Sequence, residues 1–188
     1  MTEAWDRYLN GETSQLTDAQ KQGALLFYGR AGCSVCHSGI MLSDFRFHSL
    51  GIPSHGYGFN GKGLDRGRFR VTKNSDDLFR FRTPPLRNVT KTGPYFHNGV
   101  ETSLRNAITL HFDPYRNANR YQPDGSFTLS ADQTQSISLL LPSQDGITNQ
   151  DVDNLLTFLS ALESEQVLDT EILIPPELPS GLSTAERE

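Results

Sequence analysis

The chain has 188 residues, and 17 Lys and Arg against 22 Asp and Glu give it a formal net charge of −5. This length fits one domain with or without tails, which excludes a large multidomain enzyme. The acidic balance argues against a nucleic-acid partner, because neutralising phosphates requires a basic surface. No apolar run of about 18 residues occurs, so no membrane span is predicted.

The first helix signal comes after a polar start. Residues 1–16 are polar and are interpreted as a lead-in or linker. Thr17 and Gln20 have capping-box spacing, which predicts a helix that ends at Gly29. Residues 38–82 are glycine-rich and show no sustained period. We expect long loops there, of the kind that surround a ligand or carry function.

Two further helices and a tail are predicted in the second half of the chain. Ser103 can cap a short helix that reaches His111. A longer amphipathic helix follows Thr148, with a leucine-rich stripe on one face. The compact domain is predicted to span residues 17–165. Residues 166–188 are proline-rich and polar, and are predicted to form an extended or disordered tail.

The motif that carries chemistry is CSVCH at residues 33–37. Its two thiols, Cys33 and Cys36, can form thioethers with the two vinyl groups of one porphyrin, and His37 can then coordinate the iron. A thioredoxin-like dithiol would need a βαβ context, and a structural zinc site would need a second ligand pair. The sequence offers neither, since His48 and His55 are a weak substitute for that pair.

These observations predict an all-α, loop-rich c-type cytochrome domain around one covalent haem c. Haem is attached in this way outside the bacterial cytoplasm, so a periplasmic location is predicted. The N-terminus has neither the basic nor the apolar stretch of a signal peptide, so the sequence is interpreted as a mature or truncated form.

The second axial ligand of the iron cannot be chosen from the residues alone. The candidates are Met41, His48, His55, His97 and His111. Met41 follows His37 by only four residues, so it should stay on the same side of the haem. His111 shares a helix face with Leu104 and Ile108 and should point inward. An inward histidine can equally be a hydrogen-bonded core residue, so both readings remain open.

Several segments resemble the bacterial di-haem cytochrome c peroxidase/MauG family. The segments are FRTPPLRNV at residues 81–89, TGPYFHNG at 92–99 and GRFRVT at 67–72, and residues 33–37 stand where that family has its second haem motif. The resemblance covers roughly residues 5–163, and it is to the C-terminal haem domain of such proteins.

The resemblance implies a role in electron transfer. In the family, this domain holds the electron-transferring haem, and a separate N-terminal domain with its own motif holds the haem that reacts with peroxide. This sequence has no second motif. The expected partners are therefore a second haem domain or partner chain, and a small redox protein that donates or accepts electrons. The chain is interpreted as part of a peroxidase-like enzyme.

The resemblance also implies roles for individual residues. His111 occupies the position of the family's second axial ligand, where the peroxidases usually have Met and MauG has Tyr, so His37 and His111 are expected to ligate the iron together. Thr92 and Pro94 match positions whose backbone carbonyls help to bind calcium, which is a candidate second metal. Arg87, within the long motif, is expected to bind a haem propionate.

Two alternatives to the electron-transfer half of a peroxidase-like oxidoreductase remain open. The first is a stand-alone electron carrier with one haem. The second is a five-coordinate haem that reacts with peroxide itself, in which case His111 would act as a general acid–base rather than as a ligand.

Overall fold

The computed structural model describes residues 3–52, 65–114 and 129–164. The predicted tail at 166–188 and the candidate ligand His55 lie outside the described residues. The helices are α1 (Ala4–Leu9), α2 (Asp18–Tyr28), α3 (Phe69–Thr72), α4 (Leu104–Phe112), α5 (Ala131–Ser136) and α6 (Asn149–Ser160). The strands are β1 (Phe47–His48) and β2 (Phe81–Arg82). Within these ranges, no helix is long and apolar enough to cross a membrane.

The three helices predicted from sequence begin where their capping residues stand. At the start of α2, the Thr17 hydroxyl accepts the Gln20 backbone N–H at 3.2 Å, and the Gln20 side chain accepts the Thr17 N–H at 2.8 Å. Thr148 and Asp151 form the same reciprocal pair at α6, and Ser103 caps α4. These side chains satisfy backbone donors that a helix N-terminus leaves without partners.

The core lies where α2 crosses α6. Gly23 allows this crossing, because a Cβ atom there would lie 2.0 Å from the backbone carbonyl oxygen of Asn154. Phe158 of α6 is fully buried against Phe27 of α2, with ring centres 5.2 Å apart. The core cluster also contains buried side chains from α1, from α6 and from the segments that flank the helices, among them Trp5, Leu16, Ala31, Leu42, Leu155 and Leu162.

The N-terminal segment differs from the polar lead-in that the sequence suggested. Residues Ala4–Leu9 form a helix, and Trp5 is buried with its ring edge-on to Phe158 at 5.1 Å. The Trp5 backbone N–H also donates to the Ala161 carbonyl at 3.1 Å. Six residues are too few to show a helical period, and so short a helix depends on tertiary contacts. The sequence pattern therefore could not reveal it.

The fold is mainly helical with little sheet. The sheet consists of β1 and β2, which pair antiparallel with Phe47 opposite Arg82 and His48 opposite Phe81. The expectation of an all-α fold missed this pair, because two-residue strands carry no alternation that a sequence pattern can show. The pair joins distant parts of the long loop region and forms one edge of the cavity described next.

Candidate haem site

A cavity of about 350 Å³ opens beside the α2–α6 core. This size lies within the range of about 300–1,000 Å³ usual for small-molecule and cofactor sites. Its walls are mostly apolar and come from helices α2, α4 and α6 and from the loops and strands around them, including Phe27, Phe79, Leu86, Leu104, Ile108, Leu155 and Leu159. The polar exceptions include the cysteine and histidine residues that the sequence motif singled out.

The CSVCH motif follows α2 directly and turns both thiols to the cavity. Gly32 has a left-handed backbone (φ +65°), and a short 3-10 turn over Cys33–Val35 follows it. Both Cys33 and Cys36 line the cavity as free cysteines. Burial raises the pKa of the Cys33 thiol to about 12 and also raises that of Cys36. Redox dithiols need a lowered thiol pKa, so this environment argues against thioredoxin-like chemistry.

His37 is held by the loop that follows the motif. Its Nδ1 lies 3.1 Å from the Leu42 carbonyl oxygen, so Nδ1 carries the proton and donates it there. Burial lowers the pKa of His37 to about 4, which keeps the imidazole neutral. A neutral ring with Nδ1–H fixed to an acceptor leaves Nε2 with a free lone pair, which is the form that binds a metal ion.

His111 faces His37 from α4. Its Nδ1 lies 2.7 Å from the Ala107 carbonyl oxygen one turn earlier, and burial lowers its pKa. The centres of the His37 and His111 rings are 6.3 Å apart, with 63° between the ring planes. An imidazole nitrogen binds a metal at about 2 Å, so imidazoles on opposite sides of one ion have centres about 6 Å apart. The two rings therefore fit a haem iron between them.

Two other histidines line the cavity but are engaged elsewhere. His48 Nε2 lies 2.9 Å from Asp44 Oδ2, and the His97 ring stacks on Phe81 at 3.4 Å. Cys36, Asp44 and His48 have ligand atoms within 4.8 Å of one another and could hold a metal ion. A thioether bond at Cys36 would remove the thiolate ligand from this cluster. We therefore interpret the three residues as the edge of the candidate haem site rather than as a separate metal site. Met41 is absent from the described cavity walls.

Arg87, the predicted propionate partner, contacts helix α1 and the 37–44 loop. Its Nη1 and Nη2 atoms each donate to the Asp6 carboxylate at 2.8 Å, and its Nε donates to the Ile40 carbonyl at 2.9 Å. In the part of the chain that the structure describes, Arg87 is not one of the residues that line the cavity. Among the described residues, Arg82 is the only arginine, lysine, aspartate or glutamate that lines the cavity.

The predicted calcium positions lie at the cavity, and two carbonyls emerge that the sequence did not indicate. Thr92 and Pro94 both line the wall on the side of the TGPYFHNG segment.

The carbonyls of Leu42 and Ala107 orient the two imidazoles. The Ala107 contact could have been foreseen from the helical spacing of four residues, whereas the Leu42 contact depends on a loop conformation that no pattern encodes.

A scan against models of known protein families finds no match, but individual relatives are clear. Cytochrome-c peroxidase IdrP1 of Pseudomonas sp. strain SCT is 33% identical over 197 residues, covering 92% of this chain and 48% of that protein. Methylamine utilization protein MauG of Methylorubrum extorquens is 33% identical over 125 residues, covering 66% of this chain and 33% of MauG. The chain belongs to the bacterial di-haem cytochrome c peroxidase/MauG family.

A solved structure supports this membership of the cytochrome c peroxidase/MauG family. The crystal structure of a MauG-like protein associated with microbial copper homeostasis superposes with a TM-score of 0.71 at 30% identity, covering 87% of this chain and 52% of that one. The chain spans about half the length of IdrP1 and of this MauG-like protein. The family uses covalent haem c, and its members are typically periplasmic.

Proposed function

We propose that this chain is the electron-transfer haem domain of a peroxidase-like oxidoreductase. One haem c would be bound by thioethers to Cys33 and Cys36, with His37 as proximal ligand and His111 as the second axial ligand. The observation that carries the proposal is the pair of neutral imidazoles facing each other at 6.3 Å across the cavity. Bound haem supplies a reversible one-electron couple.

In this function, the protein would fix the orientation of the two iron ligands, His37 and His111. Each imidazole has its Nδ1–H bonded to a backbone carbonyl, of Leu42 or Ala107, so the nitrogen left over on each ring is Nε2. Two ligands fixed in this way would need little rearrangement when a bound haem gained or lost an electron, which would favour electron transfer. With both axial positions filled by protein, peroxide would have no open coordination site, and two histidine ligands give a lower potential than His with Met.

The partners follow from the family. Relatives are about twice as long as this chain, which supports a second haem domain, in the same polypeptide or a separate chain, as the site of the peroxide reaction. A small redox protein in the periplasm would exchange electrons with the haem proposed here. Calcium at the Thr92 and Pro94 carbonyls would lie beside the cavity, and metal analysis of the purified holoprotein with and without chelator tests for it.

The alternatives make different demands on His111. In a stand-alone carrier, His111 would still ligate the iron, and no peroxide would be consumed even with a second haem domain present. In a five-coordinate peroxidase, His111 would act as an acid–base group and the ferric haem would be high-spin. Its hydrogen bond to Ala107 leaves Nε2 free in either case, so what favours ligation is the distance of 6.3 Å between the His37 and His111 ring centres, which matches two imidazoles on one metal ion.

The ferric optical and EPR spectra of the haem-loaded chain, before and after peroxide, test the proposal. We expect a low-spin, six-coordinate spectrum that peroxide does not change. H111A should become high-spin and H111M should return to low-spin with a higher potential, while H97A, which alters a cavity wall only, should keep the wild-type spectrum. A high-spin wild-type spectrum that shifts with peroxide would refute His111 as a ligand.

A further inference from the structure

We propose that Arg87 is a positioning residue for the proximal imidazole, linking helix α1 to the loop that orients His37. The proposal rests on the proposed function only in taking His37 as an iron ligand. Arg87 acts from outside the cavity, through Ile40 and Leu42, rather than by touching the cofactor.

The first step is the loop between His37 and Asp44. The Leu42 carbonyl that accepts the His37 Nδ1–H belongs to a residue with a left-handed backbone, φ +50°. Residues other than glycine rarely adopt this conformation, which persists only where surrounding contacts impose it. The side chain of Leu42 is 1% exposed in the core. The direction of this carbonyl therefore depends on what holds the loop.

The second step is the attachment of that loop to residues 86–87. The Leu86 backbone N–H donates to the Met41 carbonyl at 3.3 Å. Arg87 Nε donates to the Ile40 carbonyl at 2.9 Å, which ties the carbonyls of two successive residues to this segment. These bonds lie immediately before Leu42 and limit the rotation of the peptide that carries its carbonyl.

The third step joins the loop to helix α1. Arg87 Nη1 and Nη2 donate to the two Asp6 oxygens at 2.8 Å each, and Glu3 lies 3.3 Å from Nη1. The hydrogen bond from Arg87 lowers the pKa of Asp6, and the same bond raises the pKa of Arg87. The guanidinium is planar, so the bonds to Asp6 and Ile40 share one rigid plane. Lysine could keep the charge but not this geometry.

The physical consequence is a change in the donor strength of His37. A bond from Nδ1–H to a carbonyl raises the basicity of the ligating nitrogen, which favours the ferric state and lowers the potential. Loosening the Leu42 carbonyl should therefore raise the potential. Removing a positive charge alone would do the opposite, because a nearby cation favours the ferrous state. The sign of the shift thus separates positioning from a field effect.

The experiment measures the haem midpoint potential in the holoprotein for wild type, R87Q and R87K. We expect both variants to shift the potential upward and to weaken the proton NMR signature of the His37 Nδ1–H bond. R87K, which keeps the charge, guards against a folding defect in R87Q. R30Q is the matched control, since Arg30 likewise bonds one aspartate, Asp151, and one backbone carbonyl, but away from this loop.

Three results would overturn the proposal. The first is a potential in R87K equal to that of wild type, the second is a fall in R87Q, and the third is an equal rise in R30Q. The wild-type spectrum keeps this test separate from the proposed function. If wild type is high-spin, ligation by His111 fails, but His37 remains the proximal ligand and the Arg87 comparison is still decisive.

Discussion

On each side of the cavity, a backbone carbonyl accepts the Nδ1–H of a histidine and so orients its ring, but the two carbonyls are held in place in different ways. On one side, His37 stands in an irregular loop, and its acceptor carbonyl is held by contacts with segments far away in sequence. On the other, His111 donates to Ala107 within its own helix, α4, so local structure alone sets its orientation. We therefore expect substitutions far from the cavity to disturb the orientation of His37, but not that of His111.

The largest expected effect comes from removing the covalent attachment on the loop side. C33A/C36A should abolish covalently bound haem, because both proposed thioether bonds are lost. Haem that survives extraction with acidified organic solvent measures this directly. H111A, on the helix side, should retain covalent haem in full. Comparable covalent haem in C33A/C36A and wild type would refute the attachment site.

The next effect concerns the core beneath both sides. F158A should lower the free energy of unfolding by about 3–5 kcal/mol, because Phe158 is fully buried at the α2–α6 crossing. Denaturant titration of the holoprotein measures the loss, with V71A as the control at an 85% exposed position. A small loss in F158A would mean that bound haem, rather than this crossing, provides most of the stability.

The pH dependence of stability should reveal the contact that supports the loop side. Arg87 donates hydrogen bonds that hold the pKa of Asp6 below its ordinary value of 3.8, so the pair contributes fully to stability above that pH. Its contribution should fall as the pH drops through the lowered pKa of the folded state. D6N should reduce stability at pH 7 by about 1.5–3 kcal/mol and should flatten the acid limb of the profile. An acid limb as steep as that of wild type would exclude Asp6 as its origin.

The smallest effect should come from the cap on the helix side. S103A removes the hydroxyl that caps α4 and should cost about 1 kcal/mol of stability. The ferric spectrum should stay unchanged, since the bond from His111 to Ala107 lies within the helix. S43A is the comparison on the loop side, because the Ser43 hydroxyl donates to the Thr83 carbonyl at 2.8 Å. An altered spectrum in S103A alone would reverse the comparison.

Features that depend on local chemistry could be predicted from the amino-acid sequence. The caps at Thr17, Ser103 and Thr148 marked three helices, because a hydroxyl satisfies backbone donors within one turn. The CSVCH spacing predicted covalent haem, and the FRTPPLRNV and TGPYFHNG segments indicated the family that the relatives bear out.

Contacts between segments that are distant in sequence became visible in the folded chain alone. Helix α1 is too short to show a period, yet its Asp6 accepts two hydrogen bonds from Arg87, a contact that the sequence did not indicate. The facing of His37 and His111 and the left-handed Leu42 likewise arise where separate segments meet. Such contacts depend on packing free energy summed over the whole core, which no local pattern of residues contains.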